Sequence, residues 1–187
     1  MSEFTDKVKK ENARTLADLK KGLVSAYSQL GEERKYELTD DVIEVDGHTL
    51  KRIRAVEDFS DVKVGDLGGY IENENELSQL GNCWVYGDAK VYGYGDVCGN
   101  ARIMENATVC DNAVVFGDTR VSGNAVVKGH AKVYGNAVVC DNTIVYDYAI
   151  VRDNAKVKGH AEINKNAEVY GSAVVSGNTK VHGGQVY

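Results

Sequence analysis

The 187-residue sequence predicts an all-β solenoid, a parallel β-helix of about six triangular coils carried behind an N-terminal α-helix and a small β-hairpin cap. Three observations predict it. From Val85 to Val181 an aliphatic residue recurs at every sixth position without a slip. Two places before each stands a small residue, Ala, Gly or Thr, from Ala89 to Thr179. Between units sits a Gly-Asn or Asp-Asn pair, whose residues tolerate the positive φ that a sharp corner requires.

Three segments follow from composition and pattern. In residues 1–31, Leu16, Leu19, Leu23, Ala26 and Leu30 keep 3-4 spacing with Lys and Glu between them, and Gly31 stands at a C-terminal position, so the pattern predicts an amphipathic helix over about residues 5–30. Its leucine stripe suits docking on its own chain or on a sister chain ahead of binding an unrelated partner. In residues 32–80, Val42 to Val45, the Asp46-Gly47 pair and Thr49 to Val56 predict a hairpin with a type I′ turn. Such a hairpin would cap the first coil, whose open strand edges otherwise invite aggregation. This segment is acidic, with 14 Asp and Glu against 6 Lys and Arg, whereas residues 81–187 balance at 10 and 10.

In residues 81–187 the unit reads Gly-Asn-Ala-x-Val-x. Strand alternation sends Ala and Val to one side and the two x residues to the other. Each unit is then a short strand with a dry face, and three strands with three corners close a coil of 18 residues. Twenty glycines and no proline agree with a chain made of tight corners rather than long loops.

Counting in eighteens sorts the outward residues into three faces. The third is the most apolar: Val114, Phe116, Tyr134, Ile150 and Tyr170 share it, and the corner beside it adds Tyr94, His130 and Tyr148. Exposed apolar patches of this kind mark interfaces. A three-sided prism with one adhesive edge closes most simply as a threefold ring, so the expected assembly is a homotrimer.

The stretches Val-Tyr-Gly-Asp-Ala-Lys at 85–90 and Val-Lys-Gly-His-Ala-Lys at 127–132 resemble the hexapeptide repeat of the left-handed β-helix superfamily over residues 81–187. The resemblance implies the left hand of the helix, and trimers. The repeat departs at its second place, which holds Tyr86, Tyr92, Phe116, Tyr134 and Lys158 where that superfamily favours small or acidic residues. Lys35-Tyr-Glu-Leu-Thr-Asp-Asp, Gly65-Asp-Leu-Gly-Gly-Tyr-Ile-Glu and the segment from Leu77 to Tyr86 are similar to the head of bacterial and prophage hexapeptide-repeat proteins without an assigned activity. That narrower resemblance implies a phage setting, in which a binding protein could grip and inhibit a host protein.

Superfamily members that are acyl-coenzyme A-dependent acyltransferases use a histidine base, so acyl transfer is the alternative to a non-catalytic binding module. His130 and His160 are the residues that would serve it. Both take the Asn place of a corner, neither has an acid fixed beside it by the repeat, and the unbroken register extrudes no loop to wall a substrate cleft. No cofactor is implied. Cys83, Cys98, Cys110 and Cys140 form no CxxC pair and lack a zinc-like His spacing, so they read as free thiols of a reducing compartment with no metal. No basic stripe with interleaved aromatics argues for nucleic acid, no apolar run is long enough to span a membrane, and the charged start is unlike a secretory signal. The expectation is a cytoplasmic oligomer.

Overall fold

The computed structural model describes residues 34–187, and the helix predicted over residues 5–30, with Leu16, Leu19, Leu23 and Leu30, lies outside the described residues. The chain divides into two units at Arg34 and Lys35. The second unit, residues 35–187, is a β-solenoid of about six turns with three parallel sheets and almost no helix. Among the described residues the helical content is one 3-10 turn, Glu74–Glu76.

Eighteen short strands, from Trp84–Val85 to Gln185–Val186, build the turns. Each pairs in parallel with the strand three places on, so that partners lie 18 residues apart, as in Arg102 with Arg120 and Arg120 with Val138. Every coil is thereby laced to the next by backbone hydrogen bonds such as Lys128 N–H to Val145 O at 2.9 Å. The aliphatic and small positions of the repeat point inward and fill the interior, where Ala131, Val133, Ala137 and Val139 are all fully buried. Thr119 and Thr143 replace Ala at the same place of the six-residue repeat, and each hydroxyl donates to a carbonyl three residues earlier at 2.6 Å, which satisfies the polar group in a dry core. The last turn departs from the period, because Glu168 pairs with Gln185 and Val169 with Val186, 17 residues on.

Corners fall where the Gly-Asn and Asp-Asn pairs predict them. Asp111, Asp141, Asp147 and Asp153 take positive φ there, as do the corner glycines. The acids do a second thing that the repeat pattern does not reveal. Asp141 accepts the N–H of Gly159 at 2.8 Å and Asp153 that of Gly171 at 3.1 Å, so a carboxylate of one coil caps a backbone donor of the next. Asparagine side chains form a parallel ladder, as in Asn106 to Asn124 to Asn142.

Ahead of the coils, strand β1 (Tyr36–Val45) and strand β2 (His48–Ala55) pair antiparallel through Asp46 and Gly47, both at positive φ. Strand β3 (Leu67–Ile71) pairs antiparallel with β2 and in parallel with the coil at Lys90–Val91, so these three strands extend one solenoid sheet to nine. The Gly68-Gly69 pair makes that junction. A Cβ on Gly69 would lie 2.4 Å from the Ala89 carbonyl oxygen, and one on Gly68 would lie 2.7 Å from Trp84, so β3 can reach the coil only without side chains there. The β1–β2 register breaks between Leu38 and Val42. On one side of the break Tyr36, Ile53 and Ala55 join the solenoid core; on the other, Ile43, Val45 and Leu50 fold over the outside of the sheet onto Tyr70, Tyr92 and Cys110.

The segment 57–66 folds over a second face. Phe59 meets Trp84 edge to face at 5.4 Å, and Asp61 accepts from the Tyr86 hydroxyl at 2.9 Å and pairs with Arg102 at 3.0 Å. Strand alternation alone puts Trp84, Tyr92 and Cys110 on outward faces. They are buried nonetheless, because non-repeat segments cover the first coils. Among the described residues no helix is long and apolar enough to cross a membrane.

Candidate contact surface

The third face carries its aromatic residues as a column. Phe116 and Tyr134, one coil apart, stack with ring centroids at 4.9 Å and planes within 9°. Below them the Arg152 guanidinium lies 4.3 Å over the Tyr170 ring, and Tyr170 stacks on Tyr187 at 5.6 Å. Arg152 is held by Glu168 at 2.7 Å and Asp153 at 2.7 Å, and hydrogen bonding to Glu168 keeps its guanidinium firmly charged. The spacing follows from the fold, since strands about 4.8 Å apart place like positions at stacking distance.

Stacking changes how much of the face is open. Alternation alone leaves Val114, Phe116, Tyr134, Ile150 and Tyr170 in solvent; in the structure Phe116 is 37 % exposed and the other four are half-buried, because each covers its neighbour. The adjoining corner is more open. Tyr94 is 79 % exposed and Tyr148 61 %, with His130 stacked on Tyr148 at 4.9 Å and within 9°. The structure thus brings Tyr94, His130 and Tyr148 to one corner, where the third face begins. His160 is an exposed corner residue further along the chain.

A polar arrangement that sequence reasoning missed lies at the hairpin tip. His48 Nδ1 sits 3.0 Å from both carboxylate oxygens of Glu72, and Glu72 also accepts the Gly93 N–H at 2.8 Å. The hydrogen bond that His48 donates to Glu72 raises the histidine pKa and lowers that of the carboxylate. The two residues are 24 apart in sequence and come together only through β2–β3 pairing, so no local spacing announces them. Close by, the Tyr92 hydroxyl donates to Asp46 at 2.9 Å, and burial raises its pKa. Glu76 is almost wholly buried; its Oε2 accepts the N–H groups of Glu72 and Asn73, while Oε1 has no partner among the described residues, and burial pushes its pKa to about 7.

Beside the segment 57–66, on the face that carries Trp84 and Arg102, a polar cleft of about 250 Å³ is lined by Ser60, Asn82, Asn100, Arg102, Asp118 and Arg120. Inside the cap, the Lys35 ammonium donates to the carbonyl of Cys83 at 2.8 Å and lies 3.2 Å from its sulfur; burial lowers the lysine pKa and raises that of the thiol. All four cysteines are free thiols, each with its pKa raised by burial, which makes them poor nucleophiles. Among the described residues no group of three His, Cys, Asp or Glu is placed to hold a metal ion.

No protein-family model matches the chain. A stretch of 37 residues, 20% of the chain, is 51% identical to the uncharacterized acetyltransferase YdcK of Escherichia coli (strain K12). The match spans 11% of that protein's length. A partial likeness to a protein so named fits the hexapeptide-repeat superfamily.

Proposed function

We propose that the protein is a non-catalytic, self-associating binding module, a left-handed β-helix that assembles as a homotrimer through its third face and the corner beside it. The observation that carries this reading is the corner and column taken together: Tyr94 and Tyr148 stand largely in solvent at the corner where the face begins, and that face carries the stacked Phe116–Tyr134 pair. Aromatic side chains fixed by stacking lose little conformational entropy on binding and offer large apolar area, the combination found at interface cores. A host protein bound and inhibited by the same surface is the foreign-partner form of this reading, supported by the likeness of the head segment to prophage proteins.

Light scattering of the purified chain tests it. The expected mass is three times that of the chain, falling to one for Tyr134→Glu, which places a charge in the centre of the column. A monomeric wild type, or a Tyr134→Glu protein that keeps the trimer mass, overturns the proposal.

Acyl transfer is the second reading, favoured by the partial match to a protein named as an acetyltransferase and by the His48–Glu72 pair. A histidine held at Nδ1 by a carboxylate keeps Nε2 for proton transfer. Under it His48 is a better base than His130 or His160, each an exposed corner residue. Calorimetry with acetyl-coenzyme A separates the two readings: no heat of binding supports the module, and saturable binding with turnover lost in His48→Gln supports the enzyme.

A further inference from the structure

We propose that the tip of the β1–β2 hairpin is a pH-sensitive strap, closed over Tyr92 and Cys110 at acid to neutral pH by the His48–Glu72 and Asp46–Tyr92 contacts and released as the pH rises. The tip rests on a small apolar patch, Leu50, Tyr70, Tyr92 and Cys110 with Ile43 and Val45, separate from the main core. So few residues bury little area, and local opening of such an element costs far less than global unfolding. Its polar ties are few as well. His48 reaches Glu72 at 3.0 Å, Asp46 accepts from the Tyr92 hydroxyl at 2.9 Å, and the His48 ring lies 5.0 Å from that of Tyr92.

The groups facing the tie act together. His48 faces Glu72 of β3's end, Asp46 of its own turn and Glu76 of the 3-10 turn. Tyr92 and Cys110 face Asp46 from the coils, and Asp111 and Lys128 flank Cys110. The His48 pKa is raised, so its charged contact with Glu72 is complete below the ordinary histidine value and is lost as pH climbs through the raised one. Glu76, its pKa pushed by burial to about 7, sets a second carboxylate beside Glu72 as it ionises. That second charge favours protonated His48, so the tie is lost only as His48 itself gives up its proton. Glu72 itself stays ionised throughout, its pKa being lowered.

Cysteine alkylation of the full chain reads the strap directly. Iodoacetamide labelling is followed site by site by mass spectrometry, with half-buried Cys140 as the reference for thiolate formation and core Cys83 as the sentinel for unfolding. Between about pH 5.5 and about pH 8.5 the Cys110 to Cys140 labelling ratio should rise several-fold, because opening of the tip exposes Cys110 and leaves Cys140 as it was. In His48→Ala the ratio should be high and flat, and Cys83 should stay unlabelled in both proteins. A wild-type ratio constant within about twofold overturns the proposal. So does Cys83 labelling in step with Cys110, which means the whole unit opens, or a His48→Ala protein with the wild-type pH profile.

Discussion

Replacing Gly123 by Ala should destabilise the solenoid far more than the same change at Gly87, although both occupy the same corner of the coil. Their backbones are alike, with φ of +72° and +63°. An L-residue in this region costs about 1 kcal/mol relative to Gly, reduced by the few tenths that Ala gains through a less flexible unfolded chain. That strain is common to both sites. The surroundings differ. A Cβ on Gly123 would lie 2.7 Å from the backbone nitrogen of Asp141 and 2.8 Å from its Cα, whereas one on Gly87 meets nothing nearer than the Glu105 oxygen at 3.5 Å, an ordinary contact. Since the obstacle at Gly123 is backbone, the coil below must move, at a cost of about 1–3 kcal/mol by analogy with overpacked cores. The expected losses are about 1 kcal/mol for Gly87→Ala and about 3 kcal/mol for Gly123→Ala. Urea denaturation followed by circular dichroism measures both, with the slope of the transition checked for loss of cooperativity between coils. Equal losses within about 0.5 kcal/mol would refute the stacking argument, because they would mean that successive coils do not approach as closely as the structure has them.

Glu76 gives the pH dependence its sign. A carboxyl raised from 4.5 to about 7 by burial binds its proton more tightly folded than unfolded, so stability is full below 4.5 and falls as pH rises towards 7. The loss should reach about 3 kcal/mol above pH 7, and Glu76→Gln should show a flat profile over that window in denaturation at several pH values. Trp84→Ala should cost about 3–5 kcal/mol in the same assay, since Trp84 is 1 % exposed between Tyr36 and Phe59, and it should free the segment 57–66 to rapid amide exchange.

The solenoid was legible because its cause is local and repeated. One period of six sets the inward residues, the corners and the eighteen-residue pairing, and each unit restates it. The columns of outward residues follow by counting, which is why Phe116 with Tyr134 and His130 with Tyr148 stand where the count puts them. What counting cannot supply is coverage. Tyr92 and Cys110 share their outward column with exposed Lys128, yet they are buried because a hairpin with no repeat of its own folds back over them. The Gly68-Gly69 pair is visible in the sequence as a motif, while its reason, contact with the Ala89 carbonyl and Trp84, exists only once β3 is laid on the first coil. His48 and Glu72 belong to the same class of long-range pairing. The one-residue slip in the last turn is equally silent in the pattern, since Gly183 and Gly184 permit several paths for the chain.

Site-specific photo-cross-linking tests the proposed contact surface most directly. With a benzophenone amino acid placed at Tyr134 or Tyr148, and at exposed Lys156 on another face as control, the account predicts chain-to-chain products up to the trimer from the first two positions and none from the third. Cross-links of equal yield from Lys156, or only monomer from Tyr134 and Tyr148 at concentrations where the wild type is oligomeric, would contradict it.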